Sequence, residues 1–135
     1  MTLRKNLIMI SIDSVIKRLR EESKKAAHDQ YIMACAIFNK KSIISIGVNK
    51  ALSWKKDVPS KFKKWPTSIH AEVDAIHKAR KKNLKGCSLL VVRFLKDGNL
   101  AMAKPCNFCM SYINYVEISN ICYSNDKGLI EEIKL

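Results

Sequence analysis

Apolar residues recur along this chain at two different periods, and each change of period marks a new element. Ile12, Val15, Ile16 and Leu19 stand at helical spacing with charged residues between them, which predicts an amphipathic first helix over 12–29. The stretch YIMACAIFNKKSIISIGVNK then holds two β-rich runs separated by Asn39, Lys40 and Lys41, the pattern of a hairpin. Residues 50–68 lose all periodicity; they are polar, basic and punctuated by Pro59 and Pro66, and read as a long loop of the kind that tends to be functional. A second helix is expected over 69–82, IHAEVDAIHKARKK, with Thr67 or Ser68 able to cap its start. CSLLVVRFL is a continuous apolar run suited to a buried central strand, and KDGNLAMA extends it or folds back from it. Pro105 fits the first position of a third helix, PCNFCMSYINYVE. ISNICYS and LIEEIKL read as the last two strands, joined by a turn from Asn125 to Gly128.

The resulting order, α, β-β, α, β, α, β-β, predicts an α/β fold: a three-layer α/β/α sandwich on a five-stranded mixed sheet. Too few residues separate the last two strands for a parallel crossover, so these should be antiparallel neighbours. A length of 135 residues suits one domain spanning 1–135.

Charge changes this picture more than composition does. The net charge is +13, and it is uneven: residues 49–68 carry six lysines against Asp57, and residues 77–96 carry seven Lys/Arg and no acid. Such a field favours phosphate-bearing partners, although a lysine-rich and isoleucine-rich composition also follows from an AT-rich coding sequence. No apolar run approaches the roughly 20 residues of a membrane helix, and the N-terminus lacks the cleavage site of a signal peptide. A cytoplasmic, reducing location is therefore expected, with no membrane partner. There, an odd set of five cysteines points to metal binding or catalysis before disulfides. Cys35, Cys87 and Cys122 fall in predicted strands and read as small buried residues, and His28 and His77 as surface residues of helices.

Cys106 and Cys109 are the exception. Spaced i and i+3 at a helix start, they suit half of a zinc site, a redox pair, or two core cysteines on one helix face. A helix N-terminus lowers thiol pKa values, and the thiolate is the form that binds metal. His70-Ala71-Glu72 also opens a helix, and helix starts from adjacent units of one sheet lie at the same edge, so His70, Cys106 and Cys109 can converge. Three protein ligands leave one tetrahedral position open, as a catalytic zinc site requires. Glu72 could then pass a proton between water and substrate. Positions i and i+2 do not share a helical face, so His70 and Glu72 reach one pocket only at an irregular first turn.

His70-x-Glu72 followed by Pro105-Cys106-x-x-Cys109 resembles the signature of the zinc-dependent cytidine and deoxycytidylate deaminase superfamily. The element order is also similar to the cytidine deaminase fold over nearly the whole chain, and the 34 positions from Glu72 to Cys106 leave room for a helix and a long strand. The resemblance implies a hydrolase in which Zn2+ is held by His70, Cys106 and Cys109, and Glu72 shuttles protons while water replaces the amine of a cytosine-type ring. It implies that Asn49 contacts sugar or base, a role that competes with closing a strand, and that the main chain at Ala71 and Pro105 meets the ring edge. It also allows a homo-oligomer, since members often share sites between subunits.

The chain departs from the free-nucleoside members of that superfamily at two places. Ala51 stands where they carry a glutamate two residues after the asparagine, and Met110-Ser111 where they carry arginine and glutamine. Extra ligands for a second zinc, frequent in deoxycytidylate deaminases, do not occur, and an antiparallel last strand is similar to the branch of nucleoside deaminases, organellar RNA editors and toxin deaminases. The stretch SWKKDVPSKFKKWP interleaves Trp54, Phe62 and Trp65 with Lys61, Lys63 and Lys64, a composition that suits single-stranded nucleic acid, a nucleotide phosphate, or a solvated loop packed by its aromatics. The expected function is deamination of cytosine to uracil in a pyrimidine nucleoside or nucleotide. The alternatives are a deaminase of cytosine or adenine in single-stranded DNA or RNA, and a non-catalytic zinc protein that binds nucleic acid.

Overall fold

A computed structural model describes residues 10–24, 31–51, 68–79 and 82–135. The loop residues Trp54, Lys61, Phe62, Lys63, Lys64 and Trp65, and also His28, lie outside the described residues. Helix α1 spans Ile12–Ser23, capped by Ser11, whose hydroxyl accepts from the Ser14 amide at 3.1 Å. It ends earlier than the 12–29 expected. Strands β1 (Tyr31–Phe38) and β2 (Ile43–Val48) form the hairpin, with Asn39 Oδ1 accepting from the amides of Lys41 and Ser42 across its turn. Two short strands, β3 (Lys50–Ala51) and β4 (Ser68–Ile69), pair with each other. They lead into α2 (Ala71–Lys78) and then β5 (Ser88–Leu95), β6 (Leu100–Ala101), α3 (Asn107–Tyr115), β7 (Asn120–Ser124) and β8 (Ile130–Lys134).

The sheet runs β2-β1-β5-β7-β8, with β6 folded back beside β5 as a sixth strand beyond the five expected. β5 and β7 are parallel and every other pair is antiparallel, the last pair β7 and β8 included, as their short connection requires. Helix α1 covers one face through Val15 and Leu19, both fully buried, against Ala34, Ala36, Leu90 and Val92. Helices α2 and α3 cover the other, packing Val73, Ile76, Cys109 and Ile113 against Ile37, Leu89, Val91 and Ile121. The strands alternate between these two cores, so β5 reads as a continuous apolar run because both of its faces are buried. Cys35, Cys87 and Cys122 are buried as expected. His77 is half-buried rather than on the surface. No helix among the described residues is long and apolar enough to cross a membrane.

This layout brings two helix starts together. A short connection joins the end of α2 to the start of β5, and another joins α3 to β7. Because β5 and β7 run parallel, the first residues of both helices lie at the edge of the sheet where these strands end.

Candidate active site

Neither helix at that edge begins with an ordinary capping side chain. His70 is the cap residue of α2, with extended backbone (φ −77°, ψ 155°), and its side chain makes no capping hydrogen bond. Ser68 does not take the cap position, because β4 extends to Ile69 and the helix starts only at Ala71, and Thr67 lies outside the described residues. Cys106 is the cap of α3, also extended (φ −71°, ψ 170°) and without a capping bond. Pro105 therefore precedes the cap instead of occupying the first helical position. Its fixed φ directs the chain into the turn rather than starting the helix.

The freed side chains meet each other. His70 Nδ1 lies 3.4 Å from Cys109 Sγ and 3.8 Å from Cys106 Sγ. Tetrahedral zinc with ordinary bond lengths to nitrogen and sulfur holds such atoms about 3.6 Å apart. The three donor atoms all lie within 4.8 Å of one another, and two sulfurs with one imidazole suit zinc better than a hard cation. Cys109 is buried and Cys106 exposed, so the cluster opens to solvent on the Cys106 side.

The extended backbone at His70 also resolves how it and Glu72 share a pocket. Only Glu72 is in the helix proper, and it is 2 % exposed. Its Oε1 is buried without a hydrogen-bond partner among the described residues. A buried carboxylate oxygen without a partner is costly unless something is meant to meet it. Burial pushes the Glu72 carboxyl up to about 7. The two thiols split rather than both falling as expected. A hydrogen bond from the Cys109 side chain holds Cys106 down to about 5, helped by the amides of Phe108 and Cys109 and by His70. Cys109, which keeps its proton in that bond and is buried, is pushed up.

Asn49 stands at the end of β2, 8 % exposed. Its amide donates to Met33 O at 3.2 Å and its Oδ1 accepts from the Met33 amide at 3.0 Å, so its strand-closing role is real. That bond also fixes the side-chain orientation, since only oxygen can accept from an N–H, and leaves Nδ2 as the available donor. Lys50 pairs with Ile69, and continuing that register one step sets Asn49 across from His70. Ala71 is fully buried at the helix start, and Pro105 is buried beside Cys106.

Two residues absent from the sequence expectations hold this arrangement. Gly47 on β2 lies against the backbone of α2: a Cβ there would collide with Ala75 N and Ala71 O. Asp74, fully buried, accepts from the Val48 amide at 3.0 Å and pairs with Lys78 at 3.1 Å. Its place on the buried face of α2, facing the β2 end, emerges only from the packing. A glycine inside an apolar strand was the one available signal for the close approach of helix and sheet.

Fold and donor set together define an α/β protein with a three-donor cluster suited to zinc. The chain belongs to the family described as the cytidine and deoxycytidylate deaminase zinc-binding region, whose model matches residues 9–125. It is 29% identical over 103 residues to human deoxycytidylate deaminase, covering 70% of this chain and 52% of that protein. The chain thus spans about half the length of the curated relatives it matches. Among solved structures, its fold is similar to deoxycytidylate (dCMP) deaminase from the cyanophage S-TIM5 in complex with dCMP and dUMP (TM-score 0.59, 18% identity, 84% of this chain and 80% of that one). It is also similar to cytidine deaminase from Burkholderia pseudomallei (TM-score 0.63, 14% identity, 93% of each chain).

Proposed function

We propose that this protein is a zinc-dependent hydrolytic deaminase that converts cytosine to uracil in a pyrimidine nucleotide, with dCMP the first candidate. Glu72 carries the reading. A buried carboxyl with one oxygen unpartnered, beside a three-ligand cluster, serves no purpose in a site that only staples a fold. His70 Nδ1, Cys106 Sγ and Cys109 Sγ hold the metal in this reading. Bound zinc supplies Lewis acidity that makes water a competent nucleophile near neutral pH.

The chain's own groups do the rest. Glu72, buried beside the cluster with Oε1 unpartnered, is placed to serve both halves of a proton relay. It takes a proton from the attacking water and delivers it to ring N3, then passes the second to the departing amine. The water oxygen ends as the C4 carbonyl and ammonia leaves, so cytosine plus water balances uracil plus ammonia. In this reading the main chain at Ala71 and Pro105 meets the ring edge, and Asn49 offers Nδ2 as a donor to a sugar or base oxygen. Likeness to deoxycytidylate deaminases supports the nucleotide, and Ala51 in place of a sugar-binding glutamate argues against the free nucleoside.

Mass spectrometry of products tests this, using zinc-loaded wild type and Glu72→Ala with cytidine, deoxycytidine, CMP, dCMP and single-stranded DNA and RNA. Wild type should convert dCMP. The variant should keep one zinc per chain and lose about 10²- to 10⁴-fold in turnover, the usual contribution of a positioned proton-transfer group. Undiminished turnover by the variant sinks the mechanism. Conversion confined to the polymers moves the substrate to nucleic acid, and no conversion by zinc-loaded wild type removes the deaminase reading.

A further inference from the structure

Among the described residues the most deeply buried charge outside the cluster is Asp74, and the chemistry above does not use it. It is fully buried, two residues after Glu72 on the same helix. One bond leads into the sheet, where Oδ2 accepts from the amide of Val48, the last residue of β2, at 3.0 Å. A second leads outward to Lys78, whose side chain is half-exposed and whose Nζ lies 3.1 Å away. An exposed partner at i+4 adds little by itself. The bond to Val48 differs, because it ties the helix that bears His70 and Glu72 to the backbone immediately before Asn49.

The neighbouring contacts make that tie directional. Asn49 is held on its other side by Met33, through its amide to Met33 O and through the Met33 amide to Oδ1. Among the described residues its Nδ2 makes no hydrogen bond. One residue before Val48, Gly47 lets the α2 backbone approach β2, and Ser45 Oγ donates to Ala75 O at 2.8 Å. The end of β2 is therefore pressed onto α2 at several points, and Asp74 is the side chain that reaches from the helix to the residue beside Asn49.

We infer that Asp74 is a positioning residue: through the Val48 amide it sets the separation between the Asn49 amide group, which meets the substrate, and Glu72, which moves the proton. The inference rests on the deaminase reading for its substrate. Its structural core, the Asp74 to Val48 strut, stands apart from that reading. A carboxylate suits the task because it satisfies a buried strand-end amide that would otherwise be unpaired.

The test uses full-length zinc-loaded protein with Asp74→Ala, Asp74→Asn, Asp74→Glu and Lys78→Met. It measures zinc content, hydrogen exchange at the Val48 amide, and kcat and KM for dCMP. Asp74→Ala should speed Val48 exchange and raise KM about tenfold or more, the scale of a misplaced binding group, with zinc retained and kcat changed by less than about threefold. Asp74→Asn keeps an acceptor for Val48 and should restore both exchange and KM. Lys78→Met should behave as wild type. If Asp74→Ala does not fold, Asp74→Glu, which keeps the charge but lengthens the strut, should raise KM where Asp74→Asn does not.

Unchanged KM in Asp74→Ala, or a parallel fall of kcat, KM and zinc content that Asp74→Asn fails to rescue, overturns the inference. If wild type turns over no nucleotide, the functional reading fails by itself. Val48 exchange then decides the strut: equal protection in wild type and Asp74→Ala refutes it, and loss restored by Asp74→Asn upholds it.

Discussion

His70 Nδ1 stands 3.4 Å from the sulfur of Cys109, although 39 positions separate them along the chain. The proximity is a product of topology. Each residue sits at the start of a helix that runs back beside a parallel strand, and parallel strands place such starts at one edge. Metal binding should therefore report on the whole α2–sheet–α3 unit. Chelation of zinc is expected to lower the unfolding temperature, by the equivalent of about 2.7 kcal/mol if free zinc had been a hundredfold above its dissociation constant. Cys106→Ala protein should show no such response to chelator in a thermal melt. A chelator shift equal in both proteins would place the metal elsewhere.

Gly47 makes a second prediction. The α2 backbone occupies the space where a Cβ would go, with Ala75 N and Ala71 O as the obstacles, and backbone gives way less readily than a flexible side chain. Gly47→Ala should destabilise the fold by about 3 kcal/mol, the upper part of the usual overpacking range. Urea unfolding measures it. A cost below about 0.5 kcal/mol would mean that helix and strand are not in this contact.

Acid stability should depend on the β7–β8 pair. Asn125 Nδ2 donates to Glu131 Oε2 at 2.8 Å and the Tyr123 hydroxyl to Oε1 at 3.1 Å, which together hold the Glu131 carboxyl below the ordinary carboxylate value. The folded value lies below the unfolded one, so the unfolded chain binds more protons as pH falls. The stabilisation is complete above the unfolded pKa and is lost as pH drops through the folded one. Melting temperature should thus decline less steeply between about pH 5 and pH 3 in Glu131→Gln than in wild type. Parallel curves would show that these bonds do not favour the charged form. The group is at the surface, so the difference should be small.

The lysines at 61, 63 and 64 carry a prediction drawn from composition. Replacing all three by glutamine should raise KM for dCMP but not for deoxycytidine. The effect should be at most about fivefold per charge, from about 1 kcal/mol for a contact pair in water. It should shrink as salt is added. A salt-independent KM in wild type would mark these side chains as solvated.

Much of this could be read from the residues alone. The order of the three helices and the five long strands, the antiparallel end of the sheet and the convergence of His70, Cys106 and Cys109 follow from periodicity, connection length and motif spacing, whereas β3 and β4, two residues each, fall at the ends of the 50–68 stretch that reads as a loop and carry no periodicity of their own. Helix boundaries were less legible. Thr67 and Ser68 looked like caps for α2, and Pro105 like the first residue of α3, because capping preferences describe helices whose cap side chain serves the helix. Here His70 and Cys106 occupy those positions and direct their side chains to each other. Asp74 gave no signal, since an aspartate in a helix with charged neighbours reads as solvent-facing until the sheet is laid beside it. Asn49 was legible as a strand-closing residue, and Oδ1 does that by accepting from the Met33 amide.

The two-residue ladder of β3 and β4 has a consequence for how such a protein can change. Lys50 and Ala51 pair with Ile69 and Ser68, so the backbones on either side of residues 52–67 are held next to each other. The ladder works as a clasp that keeps Asn49 and His70 in register from both sides. Insertions, deletions or wholesale replacement between residues 52 and 67 need not displace His70 or Asn49. Change in that stretch is thereby uncoupled from the backbone that carries the three-donor cluster.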